Sequence, residues 1–492
     1  MSDRLNVLLL FSDQHNARFA GFENHPDVLT PHLDRLASQG TRFSRAYCQN
    51  GICVASRCSL FSGLYPRTLG CMRNDDQSGV MREVFPVAAA FKANGYATAA
   101  FGKRHLPLAC DDGWDVKASH FVHESPDDNY VRWIHEQGLG DAFDRDWAAE
   151  FCHGAEGTPS EHREMPFSPM ATHESDLPEG TTMEAWTKCR TVEFLKRQKE
   201  NGEPFFCFSS FYRPHQPYTP ISKYYSRYNR ARWGDGRRAG DGLSMPASLR
   251  QKISELPPRF QAVFANVNRV FCLDRAREDE QLYRNYIAAY CALLEEIDDH
   301  IGDVLETLDT LGLGDNTIVL YASDHGDFVG AHGMIEKCAA GHNLYEDTLR
   351  VPLIISGPSI RCGVLCDGLA ELLDLYPTLI DLCGLKMPAL RHPLQGRSLA
   401  ALLRDGASFD RSFAVSENWT QSTVITDRYK LGVWQNPLNP KASDYRSFGD
   451  MMFDLKSDPF ELTNLAGTAG GATIEASLRE TLHQWEQAIP RA

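Results

Sequence analysis

The stretch Asn6-Val7-Leu8-Leu9-Leu10-Phe11, closed by Ser12-Asp13-Gln14, sets the frame for the whole chain. An apolar run without polar alternation suits a strand buried on both faces, as in the centre of a parallel sheet covered by helices. The run then passes directly into a carboxylate and a carboxamide. The same grammar recurs three times: Ala97 to Phe101 leads to Lys103 and His105, Pro204 to Phe211 leads to His215, and Thr317 to Tyr321 leads to Asp324-His325. In open α/β sheets ligands bind beyond the carboxyl ends of the strands, so these distant polar groups are expected to meet.

Helix signatures lie between the strands. Thr30 is expected to cap a helix with Pro31 at its first position, Leu33, Leu36 and Ala37 as its apolar stripe and Gly40 as its stop. Two more are predicted from about Glu280 to Leu308, ending near Gly312, and from Asp374 to Leu382, stopped by Gly384. The charged, proline-rich region Asp111 to Glu184 and the Gly/Arg-rich Trp233 to Gly242 read as long insertions that shape a rim. After Pro388 the pattern shifts to short β-like pieces, Ser412 to Val415, Thr423 to Ile425, Lys430 to Trp434 and Met452 to Leu455, then a helix Thr473 to Ile489 with Thr473 as its cap. The expected fold is α/β: a large, mostly parallel sheet sandwiched by helices in residues 1–388, and a smaller antiparallel sheet plus helix in 389–492.

Composition bounds the function. With 492 residues and 42% hydrophobic content the chain can bury a large core, and disorder is excluded. Lys plus Arg at 50 against Asp plus Glu at 65 gives −15, which argues against general nucleic-acid or anionic-membrane binding. The opening Met1-Ser2-Asp3-Arg4 and the short run after it do not read as a secretory signal, and no apolar stretch reaches the roughly 20 residues of a membrane span. The 14 cysteines are scattered without paired CxxC spacing, so most are expected to be buried thiols in a reducing compartment, the cytoplasm.

The most specific local motif is Cys53-Val54-Ala55-Ser56-Arg57, followed by Ser59 and Ser62-Gly63-Leu64-Tyr65-Pro66. It resembles the type I sulfatase signature C-x-[P/A]-S-R, whose cysteine is oxidised after translation to formylglycine; Ala55 stands where the commonest form has proline. Other elements agree in order. Asp13 is similar to the family's first metal ligand, Gly102-Lys103-Arg104-His105 to G-K-x-H, Pro214-His215-Gln216-Pro217 to P-H-x-P, and Ser323-Asp324-His325-Gly326 to S-D-[N/H]-G. Lys337, with Tyr345-Glu346 and Arg350-Val351-Pro352 after it, resembles the distal lysine segment. Phe453-Asp454-Leu455, Asp458-Pro459 and Glu461-Leu462-Thr463-Asn464-Leu465 resemble the closing element. The resemblance runs from Asn6 to Leu465.

It implies a formylglycine at position 53 whose hydrate is a geminal diol, and one divalent cation that lowers the pKa of one hydroxyl. Asp13, Gln14, Asp324, His325 and the oxygen of residue 53 would hold that cation. Lys103 and Lys337 would stabilise the equatorial oxygens of a sulfate as they gain charge. His215 is the expected general acid for the leaving alcohol, and His105 the base that removes the second diol proton so that sulfate is expelled by C–O elimination. Arg57 is expected to orient the diol.

Gln14 and His325 stand where many sulfatases have Asp and Asn. This combination resembles the branch of phosphonate monoester hydrolases, related arylsulfatases and choline sulfatases, in which an Asn after the signature, here Asn74, also lines the anion pocket. One amide and one imidazole make the site less strictly hard, so manganese or zinc stands beside calcium as the expected metal. The expected function is sulfate monoester hydrolysis of arylsulfatase type, with phosphonate monoester or phosphodiester hydrolysis as the alternative and an inert, unconverted binding protein as the third reading. The expected partners are a small sulfate ester, a formylglycine-generating enzyme during maturation and further copies of the chain in a homo-oligomer, without nucleic acid or membrane.

Overall fold

The computed structural model describes residues 4–74, 83–151, 172–228, 240–256, 261, 280–337, 344–434 and 449–491. Fifteen strands follow in chain order: β1 (Asn6–Asp13), β2 (Gly40–Phe43), β3 (Ala46–Tyr47), β4 (Ala97–Gly102), β5 (Val116–Ala118), β6 (Phe205–Pro214), β7 (Thr317–Ser323), β8 (Arg350–Val351), β9 (Leu353–Ser356), β10 (Val364–Cys366), β11 (Ala370–Glu371), β12 (Ala414–Glu417), β13 (Gln421–Ile425), β14 (Tyr429–Trp434) and β15 (Met451–Asp454). The large sheet has eight strands in the order β10-β2-β9-β7-β1-β6-β4-β5. It is parallel except where β9 runs against both β2 and β7. A short sheet β11-β3-β8 and an antiparallel sheet β12-β13-β14-β15 complete the fold.

The four apolar runs singled out in the sequence are β1, β4, β6 and β7, adjacent at the centre of the large sheet. Every residue of β1 and β6 is buried, as expected for strands covered on both faces. The side chains of β6 show the two layers. Phe206 and Phe208 pack on Phe91, Phe61 and Trp114 on one face, whereas Phe205 meets Phe194 of the helix Met183–Asn201 on the other. Burying one such aromatic ring is worth about 1.5–3 kcal/mol, so this strand alone anchors both helical layers. On that second face, the 31-residue helix Glu280–Thr310 packs against Met183–Asn201 and β6.

Several expectations shift. The helix Pro31–Ser38 does follow Thr30, but the Thr30 hydroxyl donates to Asp34 and accepts from the Gly21 amide instead of capping, and Gly40 opens β2 rather than stopping the helix. Gly40 is needed there because a Cβ would lie 2.4 Å from the Ile355 carbonyl of the paired strand. Helix Leu375–Cys383 ends at Gly384 in the left-handed region, as expected. The last helix is Ala472–Ala488 with Gly471, not Thr473, at its cap position. Asp111 to Glu184 is not all irregular: it contributes β5 and the helices Tyr130–Glu136 and Gly140–Phe151. Residues 152–171 and 233–239 of the two expected insertions lie outside the described residues.

Seven of the described cysteines are buried and none of the eleven is in a disulfide. Among the described residues no helix is long and apolar enough to cross a membrane.

Candidate active site

Because β7, β1, β6 and β4 are neighbours and parallel, their carboxyl ends deliver Asp324-His325, Asp13-Gln14, His215 and Lys103-His105 to one place. Cys53 arrives separately, as the first residue of the fully buried helix Cys53–Ser62. Its thiol lies 3.1 Å from His325 Nε2, 3.8 Å from Asp13 Oδ1 and 4.0 Å from Lys103 Nζ. A helix start carries unpaired amides that favour negative charge, and here the Val54 amide donates to Asn74 Oδ1 at 3.1 Å. Burial alone would raise the Cys53 pKa, but Lys103, Lys337 and His325 outweigh it and hold the thiol well below its ordinary value.

Asp13, Cys53, Asp324 and His325 are fully buried, and one ligand-capable atom from each lies within 4.8 Å of the others. His325 Nδ1 is 2.8 Å from the Gly326 carbonyl, so it donates its N–H there and turns Nε2 to the cluster, where a cation would take the place of the Nε2 proton. Two carboxylates in so small a dry volume repel. Burial and Cys53 push Asp13 up, yet Lys103, His215 and Arg57 together hold it below its usual value; Asp324 is raised by burial and by the charge on Asp13. A divalent cation at the centre would relieve that repulsion. The donor set of two carboxylates, an imidazole and residue 53 suits calcium, manganese or zinc.

Arg57 is placed behind the carboxylates. Its guanidinium donates to Asp324 Oδ2 at 2.8 Å, Asp13 Oδ2 at 3.1 Å, the Lys103 carbonyl at 2.7 Å and Ser210 Oγ at 3.1 Å. These hydrogen bonds orient the carboxylates that surround residue 53. Lys103 Nζ pairs with Asp13 Oδ2 at 2.6 Å and sits 4.8 Å from the Tyr212 ring centre. Lys337 Nζ donates to Gln14 Oε1 at 2.8 Å and lies 3.2 Å from His215 Nε2. His215 Nδ1 bonds the Gln216 carbonyl at 2.9 Å, and burial, then Lys337 and Lys103, push its pKa down to about 3. His325 is the opposite case, at about 9, because Asp324 and Cys53 outweigh its burial.

Sequence reasoning missed three groups. Glu124 accepts the backbone amides of both Arg104 (3.0 Å) and His105 (2.9 Å), which pins His105 at a positive φ of 48°. It lies in the segment Asp111 to Glu184, expected as an insertion. Asp327 accepts from the Gln14 carboxamide at 2.7 Å, and Tyr218 OH lies 3.2 Å from the same nitrogen. Asp327 carried a signal: it lies three residues beyond Asp324 at the same strand end.

A parallel sheet whose strand ends bring lysines and a buried carboxylate–imidazole cluster to a cysteine at a helix start suits work on tetrahedral anionic esters, and the family match places the chain in the alkaline phosphatase superfamily. The chain belongs to the sulfatase family, whose model matches residues 5–385, and is a sulfuric ester hydrolase; residues 330–488 also match the N-sulphoglucosamine sulphohydrolase C-terminal model. It is 27% identical to an arylsulfatase of Clostridium perfringens over 94% of this chain and 90% of the relative. It is 26% identical to the multifunctional alkaline phosphatase superfamily protein PehA of Trinickia caryophylli over 98% and 95%. The crystal structure of phosphonate monoester hydrolase of Agrobacterium radiobacter shares the fold, with a TM-score of 0.78 at 22% identity over 99% of this chain and 96% of that one.

Proposed function

We propose that the chain hydrolyses sulfate monoesters of the arylsulfatase kind at residue 53, after a formylglycine-generating enzyme has converted Cys53, and that residues 1–388 carry this chemistry. The observation that carries the reading is Cys53 at a helix start, 3.8 Å from Asp13 and 4.0 Å from Lys103, within the buried Asp13–Asp324–His325 cluster. A divalent cation held by Asp13, Gln14, Asp324, His325 and residue 53 would supply Lewis acidity. The formylglycine hydrate would supply a hydroxyl nucleophile and, in its second hydroxyl, a route to release sulfate.

The chain's own residues do the rest. Lys103 and Lys337 bind the sulfate oxygens, assisted by Asn74, from buried positions where solvent screens charge weakly. The leaving-group proton resides on the Lys337–His215 pair, whose nitrogens are 3.2 Å apart, and His215 delivers it. His105 withdraws a proton from residue 53. Arg57 keeps both carboxylates aimed inward.

A second reading, phosphonate monoester or phosphodiester hydrolysis at the same residue, draws on the Gln14 and His325 pair and on the names of the PehA relative and the phosphonate hydrolase neighbour. Rates for nitrophenyl sulfate, a phenyl phosphonate monoester and a phosphodiester, measured in parallel on one metal-loaded preparation, separate the two. A kcat/KM highest for the sulfate supports the first reading, and one highest for either phosphorus ester replaces it with the second.

A further inference from the structure

We propose that Asp327 is a positioning residue that fixes the Gln14 carboxamide with its oxygen, not its nitrogen, towards Lys337 and the Asp13–Cys53–Asp324–His325 cluster. This rests on the reading of that cluster as a cation site. Asp324 and Asp327, three residues apart, both hold Gln14. Its backbone amide donates to Asp324 Oδ1 at 3.1 Å and its carbonyl accepts from Tyr290 OH at 2.7 Å, so the main chain is fixed. What remains free is the side-chain amide, whose two ends have the same shape and opposite chemistry. An ionised carboxylate only accepts, so Asp327 Oδ2, 2.7 Å from Gln14 Nε2, selects the nitrogen and turns Oε1 to the other side, 2.8 Å from Lys337 Nζ. Turned the other way, the amide would aim N–H groups at an ammonium, and its nitrogen has no lone pair to offer a cation.

Asp327 is itself fixed. It is completely buried, and its Oδ1 accepts from Tyr286 OH at 2.6 Å and from the Val329 amide at 2.8 Å. Tyr218 OH, 3.2 Å from both Gln14 Nε2 and Asp327 Oδ2, closes the ring. Partners of this kind, one bond removed from a metal, typically govern 10–100-fold in metal affinity.

The test follows from the Val329 amide. In Asp327→Asn the carboxamide oxygen must stay on that N–H, which places the new NH2 against the Gln14 NH2, donor against donor; only the longer bonds to Gln216 Oε1, 3.3 Å, and Tyr218 OH, 3.2 Å, then hold the nitrogen, and Gln14 turns over. Equilibrium dialysis of the full chain against Mn2+, with bound metal counted by mass spectrometry, should show a dissociation constant raised about 10–100-fold. The double variant Gln14→Glu with Asp327→Asn restores a complementary pair, because the carboxamide introduced at position 327 can then donate to the carboxylate introduced at position 14, and should return metal binding towards the wild type. A folded single variant with wild-type affinity, or a folded double variant as weak as the single, overturns the proposal. Should neither variant fold, a crystal structure of the Mn2+-loaded wild type decides: a Gln14 carboxamide beyond hydrogen-bond reach of Asp327, about 3.2 Å, overturns it and one within reach supports it. A wild type that binds no divalent metal and cleaves no sulfate ester takes down the underlying reading instead.

Discussion

His215 and Lys337 meet at one hydrogen bond, 3.2 Å between nitrogens, and this makes their roles separable by leaving group. A proton donor matters in proportion to the basicity of the departing oxygen. His215→Ala should therefore lower kcat/KM about 10²–10⁴-fold on alkyl sulfates and far less on nitrophenyl sulfate; equal losses on both would make His215 a binding group. Cys53 gives the second residue-scale prediction. A thiolate attacking sulfur would form a thiosulfate ester with no internal release, whereas a formylglycine hydrate can collapse to the aldehyde. Trypsin releases Ala46 to Arg57, in which conversion of Cys53 registers as loss of sulfur and gain of an aldehyde. Turnover is expected to scale with the converted fraction, and full activity with wholly unconverted Cys53 would refute the mechanism. Asp13, Lys103, His215 and Asp324 were legible because each follows a buried apolar run that could only be a central strand. Glu124 was not, since a carboxylate that serves another residue has no pattern of its own until the chain is folded, and Asp327 was marked only by its place three residues beyond Asp324.

At the scale of elements, the long buried strands were readable from their unbroken apolar runs and the helix Glu280–Thr310 from its apolar spacing, and the N-caps were not. Thr30 illustrates why: its hydroxyl oxygen accepts from the amide of Gly21, outside the helix, instead of from a helix amide. The loop after β4 depends on such a neighbour. Glu124 holds two consecutive backbone amides, and Glu124→Gln keeps the shape but offers only one acceptor oxygen for them. The variant should lose about 1–3 kcal/mol of stability in denaturant unfolding and more in kcat than in KM, because His105 sits at the released end. Wild-type stability and kcat would show that the loop holds itself. The pH sign follows from the same carboxylate. Burial raises its pKa, but Arg104, the Ser119 hydroxyl and His105 bring it down to about 2 from 4.5. Its contribution is therefore complete above about 4.5 and fades as the pH falls towards 2, so the stability difference between wild type and Glu124→Gln should shrink over that interval.

Across the whole molecule, the shift in pattern after Pro388 announced an antiparallel sheet and a helix, but not how they join the rest. The smaller core is shared: Tyr65 and Leu373 pack with Val415, Val424, Leu431, Met452, Leu478, Leu482 and Trp485. Charges cross the same junction. Arg67 pairs with Glu417 at 2.9 Å and Glu486 at 2.8 Å. Lys430 of β14, with no exposed surface, pairs with Glu346 at 3.1 Å and with Glu461. Such links between distant residues leave no sequence signal, because each partner alone reads as a surface charge. They also have a consequence for cooperativity. Lys430→Met would leave the buried Glu461 without its cation and Glu346 with Arg350 alone, 3.8 Å away, a change that typically costs about 3–5 kcal/mol. Glu461→Gln in that background removes one of those charges and should recover part of the loss. If the junction couples the two sheets, enzymatic activity, reporting β1 and its neighbours, and tryptophan fluorescence, to which Trp485 in the smaller core contributes, should disappear at the same denaturant concentration in the wild type. Both should move down together in Lys430→Met. Fluorescence moving while activity stays would mean that residues 389–492 unfold on their own, and the shared core would then be too weak to bind the two parts into one cooperative unit.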